Sequence, residues 1–406
     1  MVVAGASDLH LKAGCSPGLR VDGRLVPLDV TPPLDAPQVE ALIQQLLPQE
    51  PIAELKRRGD LEFAYSVAGE ARYRVSLVFQ RGSIGAVLRR VPLEVPDIDR
   101  LSLPPVVKKL ARLERGLVLV AGATGSGKST TVAAMVDFLN RECGGHVLTM
   151  EDPIEFVHRD QRCFITQREI GTDCASFGQA LRRALRHDPD VIMIGELRDQ
   201  ETISLALTAA ETGHLVLATV HTPGAVQTVD RMLDAFPPDV RSDARGRLAA
   251  TLQGVLSQSL VGRIGGGRVA VVEVMVVTEA IRSCIRDGRT HQIANQIQTG
   301  VAHGMQTQAT ALAELVRRGL VTEEAALAAA NNVEELRHQL TSGGANLRST
   351  RSSASRDPAR RPAIPGPVEP LPAPEAAPAP PPPAAPAVPS RAPTASQSIL
   401  EKLRKR

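Results

Sequence analysis

The sequence contains no tryptophan, and its aromatic content is only 2%. Any core must therefore be assembled from Leu, Val, Ile and Ala, and 406 residues supply enough of them for two or three domains. Cysteine is scarce as well. The five present (Cys15, Cys143, Cys163, Cys174, Cys284) form no C-x-x-C pair and leave an odd one over. That excludes a disulfide framework and a paired-cysteine zinc site, and it fits a reducing cytosol. No apolar run exceeds strand length, so none is long enough to cross a bilayer, and the N-terminus lacks the basic-then-apolar layout of a secretory signal. A basic body is missing too. Residues 343–406 hold ten Lys/Arg against four Asp/Glu, which accounts for more than the whole net charge of +3 and leaves the preceding body at −3. No nucleic-acid partner is expected of such a body.

What is present begins with Gly122-Ala-Thr-Gly-Ser-Gly-Lys-Ser129, a match to the phosphate-cradling pattern G-x-x-x-x-G-K-[ST]. The apolar run Gly116–Ala121 before it reads as a buried strand, and Thr130 to Asn140 after it reads as a helix. In such a loop the glycines let backbone N–H groups turn inward around phosphate oxygens at the positive end of the helix. Gly122, Thr124, Gly125, Ser126, Gly127, Lys128, Ser129 and Thr130 are the expected nucleotide contacts. Lys128 is expected on the β- and γ-phosphates, and the Ser129 hydroxyl on Mg²⁺.

Residues 1–92 alternate short β-like runs with one helical stretch, Gln38 to Leu47, around an Asp22-Gly23 turn signal, and read as a small α+β domain. Prolines 92, 96, 104 and 105 punctuate a stretch without periodicity, so a linker is expected at 93–104. From Gly116 to about Val277 strands and helices alternate, the signature of an α/β domain with a largely parallel sheet. Expected strands are His146–Met150, Val191–Ile194, Leu215–Val220 and Val269–Val277, and Ser176 with Gln179 forms a capping box. Helical pattern then runs to about Leu340, which puts the domain end at 342. Residues 343–406, Ser/Arg-rich and then Pro/Ala-rich, are expected to be a disordered tail.

Three polar clusters follow the phosphate loop at strand ends, where open α/β sheets bind ligands. Thr149-Met-Glu-Asp-Pro-Ile-Glu155-Phe suits holding Mg²⁺ through water or polarising an attacking water, though a solvated acidic turn has the same composition. The strand Asp190–Ile194 ends in Gly195-Glu196. Gly195 stands where a Walker B strand usually carries Asp, so metal positioning falls on Glu196. Gly213-His-Leu-Val-Leu-Ala-Thr-Val-His221 ends a strand with a histidine that can sense a γ-phosphate or serve only in packing.

Together these boxes resemble the type IV pilus retraction ATPases, the PilT family of the secretion and traffic ATPases. The similarity covers about residues 7 to 340, from Ser7-Asp-Leu-His-Leu through GATGSGKST, EDPIEF, Gly195-Glu196, Gly213-His-Leu-Val, Asp230-Arg231 and Ala280-Ile-Arg-Ser-Cys-Ile-Arg286 to Gly304-Met-Gln-Thr307. The resemblance implies a RecA-like P-loop NTPase domain after a PAS-like domain, and a homo-hexameric, cytoplasmic ATP hydrolase peripheral at the inner-membrane pilus base. A platform protein and a paralogous retraction ATPase are its implied partners. It implies Glu155 as general base, Glu196 as an atypical Walker B acid, His221 in a histidine box, and Arg74 and Arg89 as arginines of the N-terminal domain that reach ATP once the ring forms. Surface ion pairing is the other reading of those two arginines. Pilus-extension or type II secretion ATPases, and a nucleotide-binding accessory subunit, remain alternatives. The extension and secretion relatives usually carry a paired-cysteine zinc module that has no counterpart here.

Overall fold

Two patterns of apolar residues build two different sheets. The computed structural model describes residues 1–21, 24–28, 33–46, 59–67, 71–91 and 94–349. In the first sheet, apolar residues alternate. β1 (Asp8–Leu11), β2 (Gly18–Val21), β3 (Arg24–Pro27), β4 (Asp60–Val67), β5 (Ala71–Gln80) and β6 (Ser83–Val91) pair antiparallel in the order β3-β2-β1-β6-β5-β4. Successive side chains of a strand point to opposite faces. Val75 and Leu77 of β5 and Ile84, Ala86 and Leu88 of β6 therefore share one face, which buries Val39 and Ile43 of helix α1 (Ala36–Leu46). The other face carries Arg72, Arg74 and Arg89. Val21 pairs with Arg24 across the expected hairpin, while Asp22-Gly23 itself lies outside the described residues.

In the second sheet the central strands are continuously buried, while the flanking ones mix apolar and polar residues. β7 (Gly116–Ala121), β8 (Gly145–Glu151), β9 (Cys163–Glu169), β10 (Val191–Ile194), β11 (Leu215–Val220), β12 (Leu252–Gly262) and β13 (Arg268–Val276) lie in the order β13-β12-β7-β11-β10-β8-β9. All neighbours are parallel except β12 and β13. Every residue of β7, β10 and β11 is buried, as a parallel sheet covered on both faces requires. Val118 and Val120 of β7 face α2 (Val106–Ala111) and α3 (Lys128–Glu142). Leu117 and Leu119 face the opposite layer of α4 (Phe177–Ala184), α5 (Gln200–Glu211), α6 (Ala225–Asp234) and α7 (Arg241–Thr251). The Ser176 hydroxyl accepts the Gln179 N–H at the start of α4, half of the expected capping box; the Gln179 side chain reaches the Ala175 N–H instead of Ser176.

Two strands escaped the sequence reading. β9 is an edge strand whose Gln167, Arg168 and Glu169 hide the apolar signal, and β12 follows α7 with no turn between them and carries Gln253, Gly254, Ser257 and Gln258 among its apolar residues. The expected linker is irregular but packed, since Ile98 and Leu103 are buried in the core beside α2. Helices α8 (Glu279–Arg286), α9 (Ile293–Thr299), α10 (Gln308–Arg317), α11 (Glu323–Ala329) and α12 (Val333–Ser349) follow; Leu312 and Leu336 bury a separate cluster against Val261, Val269 and Val271 of the hairpin β12–β13. α12 runs past residue 343, where the tail was expected to begin. Two glycines cost a helix only about 1 kcal/mol each, and Ala345 to Arg348 are otherwise acceptable helix residues. Residues 350–406, the rest of the expected tail, lie outside the described residues. Among the described helices none is long and apolar enough to cross a membrane.

Candidate nucleotide site

β7 delivers the chain to the carboxyl edge of the parallel sheet at Ala121, and α3 leaves from Lys128, so residues 122–127 form a loop at that edge. Two of its glycines are dictated by close approach. A Cβ at Gly122 would stand 2.3 Å from the Gln258 carbonyl oxygen, and one at Gly127, which has φ of +89°, would stand 2.7 Å from the Gln258 side-chain nitrogen. The first turn of α3 has no side-chain cap at Gly127, so its N–H groups face the loop. The Ser126 hydroxyl is buried without a hydrogen-bond partner. A cradle of inward N–H groups with an orphaned hydroxyl is a phosphate site by its chemistry. Cavities of about 350 Å³ and about 380 Å³ adjoin the loop, the first lined by Thr124, Ser257 and Arg268, the second by Thr130, Arg100 and Leu103.

The expected groups converge on Lys128. Its ammonium donates to the Gly122 and Ala123 carbonyl oxygens at 2.9 and 3.0 Å and lies 3.4 Å from His221 Nδ1. Thr124 Oγ1 is 3.5 Å from the same ring nitrogen. His221 Nε2 lies 3.2 Å from Glu196, whose second oxygen accepts from Arg198 at 2.7 Å. Burial pulls the Lys128 pKa below its ordinary value, with Glu196 and then Glu155 opposing. Gly195 is crowded: a Cβ there would lie 3.2 Å from the Met150 carbonyl oxygen, which leaves little room for the usual Asp. Ser129 and Thr130 sit half-buried in the first turn of α3.

Glu155 is exposed, within electrostatic reach of Lys128, on a loop held from below by two buried carboxylates. Glu151 accepts from Thr149 at 2.7 Å, from Gln167 at 3.0 Å and from the Glu155 backbone N–H, and burial raises its pKa. Glu169 accepts the Ile154 N–H at 3.2 Å. Arg74 and Arg89 stand apart from the phosphate loop. They lie directly opposite each other on β5 and β6, Arg74 paired to Glu62 at 2.8 Å and Arg89 to Asp8 at 2.7 Å. Arg74 lines a cleft of about 130 Å³ with Asp152, Pro153 and Ile154 of its own chain.

Gln258 went unnoticed in the sequence. It is buried on β12, where it donates to the Ser126 carbonyl at 2.8 Å and accepts from the Thr131 hydroxyl at 2.7 Å, joining the loop to α3. The polar Ser257-Gln258 pair inside an otherwise apolar run was the available signal.

The pattern of the type II/IV secretion system protein family matches residues 1–266. The type IV pilus retraction ATPase PilT of Pseudomonas aeruginosa is 48% identical over 320 residues, 79% of this chain and 93% of the relative. The type IV pilus ATPase PilU of the same organism is 41% identical over 344 residues, covering 84% and 90% of the two chains. A crystal structure described as the pilus retraction motor PilT with bound ADP superposes with a TM-score of 0.78 at 42% identity, over 83% of this chain and 96% of that one.

Proposed function

The chain belongs to the type II/IV secretion system protein family, and from that premise we propose that it is a motor ATPase that hydrolyses ATP to drive retraction of a type IV pilus. It acts as a homo-hexameric ring in the cytoplasm, peripheral at the inner-membrane base of the pilus, against a platform protein and beside a paralogous retraction ATPase. The six-stranded sheet with α1 across it supports reading residues 1–92 as PAS-like. The basic, Pro/Ala-rich composition beyond residue 350 supports a tail dispensable for hydrolysis, either an inert linker-like extension or an electrostatic tether.

The observation that carries the reading is the convergence of Lys128, His221 and Glu196 on one phosphate loop. Lys128 exchanges the loop carbonyls for the β- and γ-phosphates, and the N–H groups from Gly122 to Thr130 hold the remaining oxygens. Glu155 takes the proton of the attacking water, and His221 links the γ-phosphate position to Glu196. Ser129 and Glu196 would hold Mg²⁺, which neutralises developing phosphate charge. A magnesium ion shared with phosphates needs one or two protein oxygens, not a cage, and no cluster of three His, Cys, Asp or Glu ligands occurs among the described residues. Arg74 and Arg89 supply guanidinium forks to the transferring phosphate.

ATP turnover measured against protein concentration, alongside mass by light scattering, tests the motor reading. Turnover that rises with formation of a six-fold mass supports it. A chain that binds ATP but turns over only when a second ATPase is added is an accessory subunit, and a deletion strain whose pili still retract at the normal rate rules out the retraction role.

A further inference from the structure

The face of β5 that carries Arg74 also carries Arg72, two residues earlier, and this arginine reaches the ATPase domain. Arg72 Nη2 donates to Glu169 Oε2 at 3.0 Å, and the Glu169 side chain is only 5% exposed. The same oxygen accepts the Ile154 N–H at 3.2 Å, while the other accepts from the Thr172 hydroxyl at 3.3 Å. Ile154 immediately precedes Glu155. One carboxylate oxygen therefore holds both an arginine of the N-terminal sheet and the backbone of the loop that presents the expected base. Around it lies the cleft of about 130 Å³ lined by Arg72, Arg74, Asp152 and Ile154.

We propose that Arg72 and Glu169 are positioning residues for hydrolysis: their ion pair latches the N-terminal sheet to the Asp152–Glu155 loop, so that the seat of that sheet sets where the Glu155 carboxylate stands. The pathway through Glu155 rests on the proposed reading of that residue as general base. A charge pair this enclosed has few substitutes. If Arg72 withdraws, Glu169 keeps only neutral donors among the described residues, and the loop loses the brace against the neighbouring sheet. Displacement of a reacting group by ~1 Å can cost ~100-fold in rate while leaving substrate contacts intact. The latch should therefore appear in kcat and not in nucleotide affinity. It also gives movement of the N-terminal sheet a direct route to the hydrolytic step, separate from any contact its arginines make with ATP.

The test uses the full chain, checked for assembly by light scattering, with kcat from ATP hydrolysis and affinity from ADP titration. Arg72→Gln and Glu169→Gln should each lower kcat about 10- to 100-fold with the ADP dissociation constant within about twofold of wild type. The double variant should be no worse than the poorer single one, and the exchange Arg72→Glu with Glu169→Arg should recover part of the loss. In a Glu155→Gln background, Arg72→Gln should add no further loss. Unchanged kcat, losses that multiply in the double variant, or a fall in ADP affinity matching the fall in kcat each overturn the latch. If Glu169→Gln does not fold, Arg72→Gln and Arg72→Lys, on the less buried partner, decide it: Lys keeps the charge and should retain more kcat than Gln. If Glu155→Gln alone stays within tenfold of wild type, the base assignment has failed, and the Arg72–Glu169 coupling in kcat still stands or falls on its own values.

Discussion

The two sheets put their charged groups in different places. In the parallel sheet β7, β10 and β11 are buried on both faces, so polar chemistry is confined to the strand ends, where Lys128, Glu196 and His221 meet. In the antiparallel sheet one face is core and the other is not, so Arg72, Arg74 and Arg89 sit within the strands, Arg72 braced on Glu169 and the other two in more accessible pairs. Arginines placed opposite one another, as Arg74 and Arg89 are, repel unless compensated. Glu62 answers Arg74 at 2.8 Å in an exposed pair of the kind worth only ~0–1 kcal/mol. Arg89 rests on the nearly buried Asp8; burial pushes that carboxyl up, but the Arg89 and Ser7 hydrogen bonds bring it below the usual range. One region is thus fixed by packing before any nucleotide arrives. The other holds cations in pairs that a phosphate can displace, most cheaply at Arg74.

Substitutions can break this contrast. Lys128→Ala, in the packed region, should leave no detectable hydrolysis and weaken ADP binding, because no other described side chain places a cation between the Gly122 and Ala123 carbonyls. Hydrolysis surviving in that variant would mean that the strand-end cluster is not the catalytic site. Glu155→Gln should lose ~10²–10⁴ in kcat with near-normal ADP affinity, since an amide cannot accept water's proton. A loss below tenfold would return Glu155 to the solvated acidic turn it otherwise resembles.

The arginine face is probed by mixing. Inactive Lys128→Ala and inactive Arg89→Ala subunits, combined in verified mixed rings, should regain part of the wild-type rate if phosphate loop and arginine come from different chains. Absence of recovery assigns both to one chain, in line with the cleft that Arg74 shares with its own Asp152. The smallest effect is expected for Glu196→Gln, which should raise the Mg²⁺ concentration for half-maximal rate more than it lowers affinity for nucleotide. A superimposable Mg²⁺ titration would remove Glu196 from the metal's surroundings and leave it as the partner of His221 and Arg198.

The strand-end cluster was readable because loop, strand and helix follow one another in the chain, so a local pattern implies the geometry. Glu196 and His221 were readable for a related reason, since each ends a continuous apolar run. Gln258 and Glu169 were not. Their strands carry too many polar residues to announce themselves, and their partners lie 132 and 15 residues away for Ser126 and Ile154. Arg72 differs from Arg74 only in what stands opposite it in space, which periodicity cannot report. The end of α12 was misplaced because a Gly-Gly pair signals a break, yet each glycine costs a helix only about 1 kcal/mol.

Gln258 brings ionic strength into the behaviour of the loop. Lys128 and Glu196 act through charge, and screening lengths shorten from about 8 Å at physiological ionic strength to about 3 Å at 1 M salt. The amide that ties Ser126 to Thr131 is neutral, buried and does not titrate. Salt should therefore weaken the attraction for a polyanion without loosening the cradle that receives it. A shape that persists while its field fades allows nucleotide affinity to be tuned by the ionic medium with the geometry of the bound phosphates left unchanged.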